Sequence, residues 1–245
     1  SNIDQLLDTT EGRRAAAGLS SYIAMYDPIS LQQLNQKAEM LSRIDNKYIV
    51  DAECLMALLA ELCDSFDVLD IDGKRLFSYS TRYFDDTDLR GYYDHHQRRR
   101  KRCKVRVREY CDAGIVFLEV KTNEKRSLTQ KRRMNLKDMC SALDERCRAF
   151  VNRCFKESYD ESFKKSLCPV ITIDYQRITL VAKQGGERLT IDTNLVFRGN
   201  DNCCEVPSDT YIIETKSDRG NGIADKLLRA QHVQPTRRVS KYCMG

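Results

Sequence analysis

The sequence predicts an α+β protein, an antiparallel β-sheet or β-barrel decorated by helices. Three observations carry this expectation. Segments dense in Val, Ile, Thr and Tyr recur through the 245 residues and are joined by tight turns such as Cys111-Asp112-Ala113-Gly114 and Gly185-Gly186. Helical patterns are inserted into a strand order that otherwise reads as a meander. Several strand segments alternate charged and apolar residues, the period of a strand with one buried face.

The elements follow in order. Residues 30–43 (SLQQLNQKAEMLSR) read as a helix with Ser30 as N-cap after Pro28. Residues 44–50 (IDNKYIV) end in a strand-like run, and Asp51 caps a second helix, AECLMALLAELC, rich in Ala and Leu. FDVLDI (66–71) and RLFSYSTRYF (75–84) are expected to pair as a hairpin across Asp72-Gly73. DTDLRGYYDHH suggests a short helix before a second hairpin, in which KVRVREY (104–110) turns back into FLEVK (117–121). RSLTQKRRMNL (126–136) reads as a strand and residues 137–165 as a helix. PVITIDYQRITLVAK (169–183) turns into ERLTIDTNLVF, and a loop at 199–209 precedes TYIIETK (210–216). A last helix over ADKLLRAQH leads to the tail SKYCMG.

A chain of 245 residues fits one large domain or two small ones. Charged residues at 31% and apolar residues at 41%, without low-complexity tracts, mark a globular protein. The net charge of +5 points to an anionic partner only if the positive charge is concentrated. Eleven cysteines at irregular spacings, with no secretory apolar region, imply a reducing, cytoplasmic setting. Cys140, Cys147 and Cys154 recur every seven residues, which suits small buried hydrophobes on one helix face better than metal ligands. Cys203-Cys204 is a vicinal pair with no C-x-x-C partner, so a zinc site is not expected. No apolar run reaches about 18 residues, so nothing is expected to span a membrane. The basic stretch at 98–102 comes with no nucleic-acid motif and reads as a solvated run.

The charged strand faces hold the functional signal. Lys104, Arg106 and Arg108 share one parity, with Val105 and Val107 between them; Glu119 and Lys121 do the same around Val120. Arg177, Arg188, Glu214 and Lys216 repeat the pattern later in the chain. Same-face neighbours on a strand stand roughly 6.6–7 Å apart, and two like charges there cost about 2.4 kcal/mol at an effective dielectric near 20. On an open, wet face the cost falls to well under about 1 kcal/mol. For any one strand the wet face is the simpler account; repetition over several strands favours an enclosed basic bore. Such a bore suits strung phosphates, whose oxygens pair with arginine. The minority carboxylates, Glu119 and Glu214, then suit an oxygen-preferring metal shared with phosphate. FLEVK and YIIETK also echo each other as apolar-Glu-x-Lys rungs.

Together, RIDNKYIV, STRYFDDTDLRGYY, KVRVREY, FLEVK, DYQRITL, ERLTID, IIETK and the terminal SKYCMG resemble a bacterial VTC-type polyphosphate polymerase domain. That family is related to the CYTH, or triphosphate tunnel, metalloenzymes. The resemblance covers residues 30–245 and leaves 1–29 as an N-terminal extension. It implies an antiparallel β-tunnel with a basic interior, transfer of the ATP γ-phosphate to a polyphosphate chain, and Mn²⁺ or Mg²⁺ as cofactor. By motif, Arg106, Arg108 and Lys241 are the expected catalytic groups. Lys47, Lys121, Lys131, Tyr175, Arg177, Arg188 and Ser240 are expected to bind substrate, joined by Lys104 and Lys216 from the strand-face argument. Glu214 is expected to hold the metal, with Glu119 beside it as a second carboxylate. The implied partners are ATP or another triphosphate and polyphosphate, without nucleic acid; a separate membrane partner is left open.

Three departures from the family qualify the transfer. His95, His96 and Arg98-Arg99-Arg100 stand where eukaryotic relatives have one basic residue. The chain carries neither an SPX domain nor membrane segments. The compact E-x-E-x-K signature of the simpler triphosphatases is replaced by Arg43, Asp45 and Lys47, which favours a polymerase over a hydrolase. Triphosphate hydrolysis and non-catalytic polyphosphate binding remain the competing functions.

Overall fold

A computed structural model describes residues 18–37, 43–86, 101–123, 129–199 and 201–236. They have the α+β organisation expected: a mainly antiparallel sheet with helices. The chain divides into two compact units, Ser1–Phe77 with Tyr175–Leu195 and Glu205–Gly245, and Ser78–Asp174 with Val196–Cys204. Among the described residues, no helix is long and apolar enough to cross a membrane.

The first unit begins with α1 (18–24), β1 (Asp27–Ile29), α2 (Leu31–Lys37) and β2 (Ile44–Asp51). α3 (Ala52–Leu62) and β3 (Phe66–Leu69) follow. The unit also holds the later part of β8 (Leu167–Ala182), most of β9 (Arg188–Arg198), β11 (Thr210–Ser217) and α5 (Ile223–Ala230). Its strands run in the order β2-β11-β9-β8, with β3 against β8 and β1 against β3. Asp51 caps α3 as expected, its carboxylate accepting the Cys54 N–H at 2.8 Å. Leu55, Leu58, Leu59 and Leu62 are fully buried at helical spacing. They pack on Tyr48 and Val50 of β2 and on Tyr211 and Ile213 of β11. Alternation therefore turns Lys47, Glu214 and Lys216 to the opposite face of those strands.

The expected hairpin between FDVLDI and RLFSYSTRYF does not form. The Asp72-Gly73 turn exists, with positive φ of 53° and 84°, but only Ile71 and Lys74 bridge across it. β3 instead pairs in parallel with β1 and antiparallel with β8. Phe66, Val68 and Leu69 are all buried, so the strand gains more from a place inside the sheet than from a local partner.

The second unit contains β4 (Phe77–Asp86) after its first residue, then β5 (Cys103–Tyr110), β6 (Ile115–Asn123) and β7 (Thr129–Leu136). α4 (Glu145–Tyr159), the first part of β8 and β10 (Cys203–Glu205) complete it apart from Glu205. Its main strands run β8-β4-β5-β6-β7. The expected β5–β6 hairpin is present, closed by Gly114 at φ 64°. Val105, Val107, Val116, Leu118 and Val120 form the apolar face. It is covered by Val151, Cys147 and Cys154 of α4, so two of the heptad-spaced cysteines act as small hydrophobes.

α4 is shorter than the helix expected over 137–165. Asp144 accepts the Cys147 N–H at 2.8 Å and sets the start, and Asp160 at φ 56° ends it. Upstream, the Cys140 carbonyl accepts Arg82 Nη1 at 2.6 Å, so tertiary contacts hold that stretch out of a helix. The helix expected at DTDLRGYYDHH falls, after Asp86, outside the described residues, as do His95, His96 and Arg98-Arg99-Arg100.

Candidate functional site

Strand pairing in the second unit lays the charged face out in rungs. Lys104, Lys121 and Lys131 stand side by side on β5, β6 and β7. The next rung is Tyr83, Arg106, Glu119 and Arg133, and the next is Thr81, Arg108, Phe117 and Asn135. Tyr79, Tyr110 and Ile115 follow. Neighbours in a rung are separated by roughly 4.7–4.9 Å of backbone.

Glu119 is the hub of this face and is 2% exposed. Its Oε2 lies 2.6 Å from Lys131 Nζ and 3.2 Å from Arg106 Nη2, and its Oε1 lies 3.7 Å from Arg108 Nε. Burial opposes ionisation of its carboxyl, but Arg106, Arg108 and Lys131 outweigh that and hold it down at about 2. Burial of the ammonium group and the nearby arginines pull Lys131 down to about 8, against the opposing effect of Glu119. Three cations around one carboxylate leave a local excess of positive charge. Oε1 of Glu119 is buried without a hydrogen bond, because Arg108 Nε donates instead to Thr81 Oγ1 at 3.3 Å.

The first unit carries a smaller cluster. Glu214 faces Lys47 across β2–β11 at 3.8 Å and lies 3.7 Å from Lys216 on its own strand. Arg188 stands opposite Lys216 on β9. Arg177 is gripped in a bidentate pair by Asp192, Nε to Oδ1 at 2.7 Å and Nη2 to Oδ2 at 2.9 Å, and lies over the Tyr175 ring at 5.1 Å. Burial works against the Arg177 charge, but Asp192, Tyr175 and Glu214 keep the group protonated well above its ordinary range.

A buried carboxylate supports this cluster from the reverse face. Asp225, 1% exposed in the first turn of α5, accepts from Tyr48 Oη at 2.5 Å, Thr215 Oγ1 at 2.7 Å and Asn46 Nδ2 at 3.3 Å through Oδ1. Its Oδ2 accepts the Gly222 N–H at 2.9 Å. Tyr48 and Asn46 flank Lys47, and Thr215 sits between Glu214 and Lys216. Glu187 accepts the Ile223 and Ala224 N–H groups, each at 3.0 Å. A Cβ on Gly222 would come within 2.4 Å of that carboxylate, so a larger residue there would push the Glu187 side chain off these N–H groups. Beyond α5, the Thr236 N–H donates to the Lys47 carbonyl at 2.7 Å.

Thus Lys104, Arg106, Arg108, Glu119, Lys121 and Lys131 share one face of the second unit. Lys47, Tyr175, Arg177, Arg188, Glu214 and Lys216 lie in the first. Ser240 and Lys241 fall outside the described residues. Arg133, Asp192 and Asp225 were missed. Alternation in Thr129-x-Lys131-x-Arg133 signals Arg133, whereas nothing local marks the pairing of Asp192 or the burial of Asp225.

Glu119, expected as a metal ligand, is instead enclosed by three cations that would repel a divalent ion. Among the described residues no group of three or more His, Cys, Asp or Glu could hold a metal on its own. Glu214, 23% exposed in its side chain, fits the different mode in which one carboxylate and substrate phosphates share a hard cation.

The VTC domain family model matches residues 42–245. No curated protein matches the chain in sequence. Among solved structures, HpAC1 from Hippeastrum, described as a candidate adenylyl cyclase with a dominant triphosphatase activity, is 11% identical. The match covers 83% of this chain and 94% of that one at a TM-score of 0.41. The PH1012 protein of Pyrococcus horikoshii OT3 is 15% identical over 81% of this chain and 98% of its own, with a TM-score of 0.38. A conserved hypothetical protein of Pyrococcus furiosus, Pfu-838710-001, is 16% identical over 81% of this chain and 99% of its own, with a TM-score of 0.39. These distant likenesses add nothing to the assignment, which rests on the family match. With most of its length matched, the chain belongs to the VTC domain family, whose triphosphate-tunnel proteins act on triphosphates by phosphoryl transfer or hydrolysis.

Proposed function

We propose that the protein is a polyphosphate polymerase-like phosphotransferase that moves the γ-phosphate of ATP onto a polyphosphate chain. The observation that carries this reading is the cluster of Arg106, Arg108 and Lys131 around the buried carboxylate of Glu119. The surplus charge suits a polyanion. Glu119 offsets part of it and keeps the three cations packed when no anion is bound.

In the reaction, an oxygen of the terminal polyphosphate group attacks the γ-phosphorus of ATP in line. A new P–O bond forms as the bond from the γ-phosphorus to the β–γ bridging oxygen breaks, and ADP leaves with the electron pair. The attacking oxygen is already ionised near neutral pH, so positioning and charge stabilisation do the catalytic work. Arg106, Arg108 and Lys131 hold phosphate oxygens, and Lys104 and Lys121 extend the basic row. Lys47, Lys216 and Arg188 offer cations on the other unit's face. Tyr175 and Asp192 hold the Arg177 guanidinium in place. Ser240 and Lys241 are assigned to the same chemistry by their family motif alone. Mn²⁺ or Mg²⁺ on Glu214 would supply charge neutralisation and polarisation of phosphate oxygens when bound.

Incubation with ATP and Mn²⁺, resolved on a gel for long chains and assayed for free phosphate, tests the proposal. Polymer is the expected product, and Arg106→Ala should slow its formation by about a hundredfold or more. Free phosphate without polymer would reject transfer to polyphosphate and make the protein a triphosphatase.

A further inference from the structure

The basic face of the second unit changes character along its length. It begins with the lysine rung of Lys104, Lys121 and Lys131 and passes through the Arg106–Glu119 rung. It ends in aromatic rings. Phe117 and Tyr110 meet edge to face with centroids 5.9 Å apart, and Tyr110 meets Tyr79 in the same way at 5.0 Å. Guanidinium groups flank the row: Arg133 lies over Phe117 at 4.3 Å and Arg108 over Tyr79 at 5.7 Å.

Tyr79 is itself buried, but the core does not explain Phe117 and Tyr110. The apolar face that α4 covers is built from the other parity, Val116, Leu118 and Val120. A face turned away from that core is expected to be polar, as it is at Lys104 and Lys121. Phe117 and Tyr110 are only half-buried there. Edge-to-face pairs of this kind contribute about 0.5–1.5 kcal/mol, which explains their mutual packing but not their placement beside a row of cations.

We propose that the aromatic end is a nucleobase platform, the subsite for the base of a nucleoside triphosphate whose phosphates lie on Arg106, Arg108 and Lys131. The proposal rests on the triphosphate reading above and adds selectivity for a nucleotide donor over inorganic triphosphate. Phe117 stands one same-face step from Glu119 along β6, and Tyr110 one step from Arg108 along β5, each step roughly 7 Å. A ribose spans that interval between phosphate and base. Arg133 already lies on the Phe117 ring at 4.3 Å, too close to admit a base between them, so the base stacks on the outer, exposed plane of the guanidinium that Phe117 holds flat, an arrangement that tolerates any base because each has a π-face. Asn135, exposed and in register with Phe117, presents an amide to the base edge.

Affinities of the full chain for ATP and for methyl triphosphate, which lacks base and ribose, measured by calorimetry, provide the test. ATP should bind about tenfold or more tightly. Phe117→Ala should remove that advantage and leave methyl triphosphate binding unchanged. Phe117→Tyr, which keeps a ring, should retain it. Equal affinity of the unaltered protein for the two ligands would overturn the platform while leaving the triphosphate reading standing. Binding of neither would overturn both.

Discussion

Replacing Glu119 by Gln removes one charge and almost no volume from the centre of the basic cluster. In the folded chain its carboxyl ionises near 2 rather than at its ordinary 4.5. That difference corresponds to about 3 kcal/mol of stability. It agrees with the roughly 3–5 kcal/mol expected when a buried charge loses its partner. Because the folded value is depressed, this stability is fully present above about pH 4.5 and is lost as the pH falls through about 2. Thermal unfolding of Glu119→Gln should therefore show a Tm about 6–12 °C below that of the unaltered protein at pH 7. The gap should narrow steadily below about pH 4.5, where the carboxyl of the unfolded chain takes up its proton while the native one stays ionised until about 2. The variant leaves three cations without their counter-ion, so tripolyphosphate should raise its Tm more than it raises that of the native protein. An unchanged Tm at pH 7 would refute the charge-balance account. So would a gap of equal size at about pH 2.5, which would point to packing instead.

Two further outcomes follow from the same geometry. Asp225→Ala leaves the Tyr48 and Thr215 hydroxyls buried without their acceptor and should cost about 3–5 kcal/mol in urea unfolding; a loss under about 1 kcal/mol would show that α5 is not anchored through this carboxylate. Lys131 loses its proton near 8, so tripolyphosphate affinity should fall as the pH rises through that value. Lys131→Arg should abolish this inflection, because arginine stays charged, and a binding curve that titrates identically in both would exclude Lys131 as the titrating group.

The local pattern alone determined much of this protein. Alternation in KVRVREY and FLEVK fixed which residues of β5 and β6 turn away from the core, because side chains on a strand have a period of two whatever the partner. Asp51 announced a helix start through cap chemistry that involves only its own next few residues. The hairpin closed by Gly114 was legible for the same reason. The tertiary structure decided which charges meet. Glu119 collects Arg106 and Arg108 from one neighbouring strand and Lys131 from the other, and this depends on register across β5, β6 and β7. β3 abandoned its nearest strand in sequence for β1 and β8, because burial rewards neighbours anywhere in the chain. Asp225 became the anchor of β2 and β11 only once α5 was laid against them. A strand's period is set by covalent geometry, whereas its partners are chosen by long-range burial and hydrogen bonding, which no short stretch of residues encodes.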